Sequence, residues 1–328
     1  MQAAYYEQTG PASTVLKVGD LPDPQPGPGE VRVRLAWSGV NPSDVKARSG
    51  ARSPDMPFPK VIPHSDGMGV IDAVGSGVPS SRIGERVWLW NAAWSRPFGT
   101  AAQSICLPEA QAVLLPKQVP DEAGACLGIP ALTALHAVLT EGGVQGQRVL
   151  VAGGAGAVGH YAIQFARLLG ARQVISTVSS AEKAALAQAA GTDVTVNYRS
   201  EPVAERVLEA TQGEGVDRVI EVDIAANAAL NLAVVRPNGL WVVYGSGARE
   251  VSLPFFPMIA RNVGLRFFIV YNLNEDDRRR AIAVLTDFLR TDRLQHHIGL
   301  RLPLAQVAKA HEAVESGQVV GNVVLSTG

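Results

Sequence analysis

The stretch Arg148-Val-Leu-Val-Ala-Gly-Gly-Ala-Gly-Ala-Val-Gly159 decides the fold. Arg148 to Ala152 reads as a short buried strand, and the run from Val158 onward reads as a helix. Gly154, Gly156 and Gly159 therefore form G-x-G-x-x-G between a strand and a helix. In that setting Gly154 permits a tight turn, Gly156 lets the backbone approach a pyrophosphate, and Gly159 allows close packing of helix on strand. The helix N-H groups that lack partners then face an anion. A glycine-rich turn without a ligand is the alternative reading.

Outward from this loop the pattern repeats. Val174 to Thr177, Val194 to Asn197, Arg218 to Val222 and Leu240 to Tyr244 are short β-branched runs, separated by helical stretches such as His160 to Leu169 and Ala181 to Ala190. Parallel strands need crossover connections, so the alternation predicts a doubly wound α/β domain. Residues before about 125 read differently. Val31 to Leu35 alternates with period two, Gly67 to Val74 and Arg86 to Trp90 are strand-like, and Pro22 to Gly29, with four prolines and two glycines, is a loop. This part is mainly β. The tail has a helix-like Ala305 to Ser316 and an apolar run Val319 to Leu325, and is expected to return to the first domain. The expected domains are 1–124 completed by 296–328, and 125–295.

The chain length of 328 residues suits two domains at roughly 100 to 200 residues each. Hydrophobic residues at 47% against 18% charged mark a globular chain. The 29 basic and 30 acidic side chains nearly cancel, which argues against nucleic acid or an anionic membrane as partner. Two cysteines, Cys106 and Cys126, cannot build a disulfide framework or a zinc ribbon. With no export signal at Met1 to Glu7 and no run of about 18 apolar residues, a cytoplasmic protein is expected.

A loop that takes NAD is followed, about 20 residues on, by an acid that accepts hydrogen bonds from the adenosine ribose. Here the second strand ends Ile175-Ser-Thr-Val-Ser-Ser180 with no acid at its tip. Ser179 and Ser180 can donate to a 2′-phosphate, Lys183 can add charge, and Tyr198 can donate a phenol hydrogen bond. NADPH is the expected cofactor. Ser179 as a plain helix cap, with Glu182 completing S-x-x-E, is the alternative.

Gly39-Val-Asn-Pro-Ser-Asp-Val-Lys-Ala-Arg-Ser-Gly50, Ile62-Pro-His-Ser-Asp-Gly-Met-Gly-Val-Ile71, Gly128-Ile-Pro-Ala-Leu-Thr133 and His311-Glu-Ala-Val-Glu-Ser-Gly317 complete the picture. With the glycine loop they resemble the medium-chain dehydrogenase/reductase superfamily over the whole chain, in particular zeta-crystallin-like NADPH:quinone oxidoreductases. The resemblance implies a GroES-like catalytic domain beside a Rossmann domain. Zinc alcohol dehydrogenases of that superfamily carry Cys where this chain has Asn41 and a His-Glu pair where it has Ser65-Asp66, so no zinc is expected.

What the resemblance implies is hydride transfer to a quinone or another conjugated carbonyl, an electrophile that needs no Lewis acid. By match to the family motifs, Asn41 hydrogen-bonds near the nicotinamide or acceptor, and Asp44 orders the loop or relays protons. A turn at Asn41-Pro42 and a helix cap by Asp44 are the alternatives. Ala155, Gly156, Ala157 and Val158 fall on the pyrophosphate. Thr133 falls near the carboxamide side, Tyr244, Gly245, Ser246 and Gly247 are cofactor positions after the fifth strand, and Phe267, Phe268 and Ile269 fall beside the nicotinamide. Lys46 and Asn322 stand where relatives often have Tyr and Lys, and are carried over as cofactor positions. His64, in place of a usual Gly, is a candidate to line the substrate cleft with Trp90 and Trp94, although a structural role fits a lone His too. Arg266 to Tyr271 is too apolar for an unprotected edge strand, which predicts a homodimer. Two further functions stay open: a 2-enoyl-thioester reductase, and a non-catalytic NADPH-binding structural or RNA-binding protein.

Overall fold

The computed structural model describes residues 1–328 and separates them into two units, Met1–Ile129 with Thr286–Gly328, and Pro130–Leu285. The first opens with β1 (Gln2–Tyr5) and β2 (Lys17–Asp20), an antiparallel pair around the single turn α1 (Ala12–Val15). The proline-rich loop follows, and then β3 (Glu30–Val40), which runs five residues beyond the expected Val31 to Leu35. Its alternation turns Val31, Val33 and Leu35 into a core with Ile71, Leu89, Ile105 and Leu107. Helix α2 (Pro42–Arg48), strands β4 (Asp66–Val74), β5 (Arg86–Leu89), β6 (Ser104–Pro108) and β7 (Ala112–Leu114), and the short α3 (Asp121–Gly124) complete this stretch.

In the second unit α4 (Leu132–Leu139) leads into alternating elements: β8 (Arg148–Val151), α5 (Ala157–Leu168), β9 (Gln173–Val178), α6 (Ala181–Ala189), β10 (Val194–Asn197), α7 (Val203–Ala210), β11 (Val216–Glu221), α8 (Ile224–Val234), β12 (Val235–Val243), α9 (Phe255–Ala260), β13 (Gly264–Phe267) and α10 (Glu275–Arg290), whose residues from Thr286 onward count with the first unit. The strands form a parallel six-stranded sheet in the order β10-β9-β8-β11-β12-β13. Leu150, Ile175, Val196, Val219 and Trp241 pack into one of its cores. β12 begins earlier than Leu240, with a register shift around Asn238, whose φ is +60°. The expected strand Arg266 to Tyr271 stops at Phe267. Arg278 of α10 donates to the carbonyls of Val270 and Tyr271 at 2.7 and 3.1 Å, which engages them outside any ladder, and residues 270–272 form a 3-10 turn.

The tail supplies β14 (Ile298–Pro303), α11 (Val307–Glu315) and β15 (Asn322–Ser326) to the first unit. β15 pairs antiparallel with β3, giving the order β14-β15-β3-β4-β5-β7 with β6 also on β3. The units divide at 129/130 and 285/286, where the sequence suggested 124/125 and 295/296. At the first boundary the chain makes a wide π turn, Leu127–Ala131, that holds Gly128 against Asp66. A Cβ on Gly128 would lie 2.4 Å from the Asp66 Oδ1 atom, so only glycine fits. No helix is long and apolar enough to cross a membrane.

Candidate functional site

The glycine loop joins β8 to α5. Its turn is made at Gly153, with φ +69°, and not at Gly154 as the sequence pattern suggested. Gly154 is required for a different reason: a Cβ there would lie 1.9 Å from Ser176 Oγ of β9. Gly159 packs the helix onto the loop, since its Cβ would stand 2.2 Å from the Gly153 carbonyl. The turn is held by Gly153 N-H donating to Thr177 Oγ1 at 3.0 Å and Gly154 N-H to Thr177 O at 3.1 Å. No side chain caps α5 at Gly156, so the first-turn N-H groups around Ala157 and Val158 remain for an anion. A backbone cradle of this kind fits a pyrophosphate.

At the tip of β9, Ser179 is buried and Ser180 is the N-cap of α6, accepting from Lys183 N-H at 3.2 Å. The cap thus lies one residue beyond Ser179, because the strand persists through Val178 and Ser180 is the extended residue at the helix start. Tyr198 N-H donates to Val178 O at 3.0 Å, which sets its 53% exposed side chain beside the same tip. Arg199 follows it, a cation that sequence reading passed over although it neighbours Tyr198. No carboxylate occupies the end of β9. Glu221, the buried acid at the end of β11 two strands away, accepts from the side-chain amides of Asn227 and Asn231 at 2.9 and 2.6 Å.

After β12 the backbone of Tyr244 to Gly247 comes close to the end of β11. Gly245 leaves no room for a Cβ beside the Val222 carbonyl, and Gly247 N-H donates to Asp223 Oδ1 at 2.7 Å. Ser246 Oγ donates to Ala248 O at 2.8 Å. Phe268 gathers the candidates here: its ring lies 6.4 Å from Tyr244 and 4.6 Å from His136, one turn beyond the buried Thr133 on α4. Burial pushes the Tyr244 phenol up and the His136 imidazole down. His136 was missed, although its i+3 spacing from Thr133 places it on the same helix face. Phe267 does not join the cluster. It alternates to the other side of the edge strand and is 56% exposed. Ile269 is half-buried.

In the first unit, Asn41 and Asp44 form a capping box at the start of α2, with Asn41 N-H donating to Asp44 Oδ2 at 2.8 Å. The Asn41 side-chain amide donates to Asp66 Oδ2 at 2.8 Å. All three are buried. Burial raises the Asp44 carboxyl to about 7, against opposing hydrogen bonds from Asn41 and the charge of Arg52. Burial likewise holds Asp66 well above the usual carboxylate range, with the Asn41 bond opposing and Asp44 adding to the rise. Lys46 is exposed on α2. Trp94 lies under the Arg52 guanidinium, 5.9 Å from ring centroid to carbon, and Trp90 Nε1 donates to Ala110 O at 3.2 Å.

Two carried-over positions are corrected. His64 lines no cleft: its φ of +78° turns the ring inward, where it is fully buried against Ser38 and His311. Asn322 is buried, and its side-chain amide is engaged by the His297 carbonyl at 3.0 Å. At the positions where zinc enzymes of this superfamily carry ligands, the side chains are engaged otherwise. Asn41 presents an amide nitrogen that donates to Asp66, Ser65 accepts from Ala93 N-H, and burial pushes the Cys126 thiol well up. No group of three or more His, Cys, Asp or Glu is placed to hold a metal ion. This donor set does not fit zinc.

A parallel α/β unit with an anion-binding glycine loop, paired with an antiparallel β unit bearing buried carboxyls, defines a nucleotide-dependent oxidoreductase of two-domain type. Two family models match: the alcohol dehydrogenase GroES-like domain over residues 27–117 and the zinc-binding dehydrogenase domain over 157–287. The chain is 31% identical to a 2-haloacrylate reductase of Burkholderia sp, covering 99% of this chain and 98% of the relative. It is 32% identical to a quinone oxidoreductase of Pseudomonas aeruginosa, covering 95% of each. Among solved structures, an NAD-dependent alcohol dehydrogenase matches with a TM-score of 0.90 at 32% identity over 100% of both chains. A mycobacterial protein complexed with NADPH matches at 0.87 and 30% over 99% of both. The chain belongs to the medium-chain dehydrogenase/reductase superfamily, within its zeta-crystallin-like quinone oxidoreductases, and is an oxidoreductase.

Proposed function

We propose that this protein is a zinc-independent, NADPH-dependent reductase that delivers hydride to a quinone or another conjugated carbonyl. The observation that carries the reading is the end of β9: a glycine cradle for the pyrophosphate lies beside a strand end, Val178 to Ser180, that carries no carboxylate, with Lys183 and Tyr198 next to it and Glu182 the first acid, in the opening turn of α6. An acid there would repel a 2′-phosphate, whereas hydroxyl and ammonium donors attract it. The NADPH-bound mycobacterial relative supports the same choice.

NADPH, when bound, supplies the hydride. This chain's residues bind and orient. The loop N-H groups take the pyrophosphate, and Thr133 with the Tyr244-Phe268-His136 cluster frames the nicotinamide. Asn41 is held by Asp44 and Asp66 to meet the acceptor oxygen, and Asp44 keeps a proton near neutrality that can follow the hydride. A conjugated carbonyl spreads incoming charge over its own oxygen, so positioning carries most of the catalysis. A second reading, a conjugated carboxylate acceptor, is favoured by Arg52, whose guanidinium lies over Trp94 and within electrostatic reach of Asp44. The 2-haloacrylate relative acts on that class.

The test is a steady-state screen of 1,2- and 1,4-quinones, enals, 2-chloroacrylate and enoyl thioesters with NADPH and NADH. Turnover of quinones with NADPH, unchanged by a zinc chelator, is the expected result. Preference for NADH, or loss of activity with the chelator, would refute the reading. Faster turnover of 2-chloroacrylate than of any quinone would move it to the second acceptor class.

A further inference from the structure

His311 of α11 and His64 are both fully buried, with Nε2 atoms 2.9 Å apart and rings stacked at 5.1 Å. From His64 the bonds continue. Nδ1 lies 2.8 Å from Ser38 Oγ of β3, Ser38 Oγ lies 2.8 Å from Thr100 Oγ1, and Thr100 Oγ1 bonds the Asp66 carbonyl oxygen.

The direction of every bond follows from the last one. A carbonyl only accepts, so Thr100 gives its single hydroxyl proton to Asp66. Ser38 must then donate to Thr100, which leaves its oxygen to accept from His64 Nδ1-H. A neutral His64 protonated on Nδ1 has a lone pair on Nε2, so His311 donates Nε2-H to it. Both rings are neutral in this arrangement. Burial lowers both imidazoles, His311 to about 3, and the buried Arg48 guanidinium, paired with Glu315 at 2.9 Å, opposes any charge on His311. His311 Nδ1 is left as a buried acceptor without a partner, which is tolerable for a lone pair and not for a charge.

A relay that ends on a backbone carbonyl cannot pass a proton onward. It can only hold. What it holds is Asp66, the first residue of β4, whose side-chain Oδ2 accepts from the Asn41 amide. We propose that His311 and His64 are positioning residues, a tautomer-locked pair that fixes Asp66 and, through it, the side chain of Asn41. The part played by this pair in turnover rests on the function proposed above, while its structural core does not.

Long-range ¹H–¹⁵N correlation on the histidine-labelled full chain at pH 7 should show His64 protonated on Nδ1, the minor tautomer of free histidine, and His311 on Nε2. His311→Leu removes the donor. It should shift the Asn41 side-chain amide resonance and lower kcat with NADPH and a quinone by about 10-fold, leaving the KM for NADPH within about 2-fold. His311→Gln, whose amide nitrogen reaches close to the Nε2 position, should restore both. His64 found as the Nε2-H form or as imidazolium overturns the proposal, as does an unmoved Asn41 amide in folded His311→Leu. If the wild type reduces no acceptor, the proposed function fails, while the tautomers and the Asn41 amide still decide the relay.

Discussion

Asp44 shows how far one side chain's chemistry depends on its surroundings. In an unfolded chain its carboxyl titrates near 3.8, and burial beside Asn41 moves it to about 7. Below that pH the folded group carries a proton; above it the group is an anion that has none to give. If Asp44 supplies the proton that follows hydride, kcat/KM falls as pH rises through about 7, and Asp44→Asn flattens that limb. A limb that survives the substitution assigns the ionisation elsewhere. In the second unit, Lys183→Ala should weaken NADPH binding by about 10- to 100-fold, the loss of one charge-assisted bond, and leave NADH almost unchanged in calorimetry. Equal loss for both nucleotides would remove Lys183 from the phosphate. Asn41 and Asp44 stand out in the sequence as an Asn-Pro turn with an acid three residues on. Their third partner, Asp66, lies 25 residues away from Asn41, and no local pattern joins them.

At the scale of elements, the glycine loop shows itself in the sequence because sterics impose its composition. Gly159→Val should abolish nucleotide binding and lower the melting temperature, since its Cβ overlaps the Gly153 carbonyl. Arg218 illustrates the opposite case. It interrupts a β-branched run, and nothing nearby announces its role. In the fold its fully buried guanidinium donates to the carbonyls of Ala137, Val138, Thr140, Glu141 and Gly143, at 2.9 to 3.3 Å, at and beyond the C-terminal end of α4. A cation there also meets the negative end of the helix dipole. Arg218→Met should cost about 3 kcal/mol of stability by denaturant unfolding, because several carbonyls lose their donor at once. A loss below about 1 kcal/mol would show that water replaces the guanidinium.

For the whole molecule, the open question is what covers the edge of the parallel sheet. β13 has one neighbour, β12, and the segment leading into it leaves Phe255 and Phe256 at 68% and 80% exposure, with Ile259 and Phe267 also exposed. An apolar edge of this kind invites pairing with a second copy, and we propose a homodimer formed there. Sedimentation at micromolar concentration should give a dimer, and Phe256→Asp should shift it to monomer with the melting profile of the isolated subunit retained. A wild-type monomer would overturn the proposal.

The sequence by itself determined the alternating α/β plan, the return of the tail and the glycine loop. Each is written in local periodicity or in glycines at fixed spacing, and both can be read from neighbouring residues. Only the tertiary structure decided that Gly153 makes the turn, that Ser180 caps α6, that Phe267 faces away from Phe268, and that His64 is buried on His311. The Gly153 turn and the burial of His64 depend on partners brought together from distant parts of the chain, Thr177 and His311, while the Ser180 cap and the outward face of Phe267 depend on where strands β9 and β13 end. Burial and hydrogen-bond direction, which set the chemistry of Asp44, Asp66 and the two histidines, exist only once those partners meet.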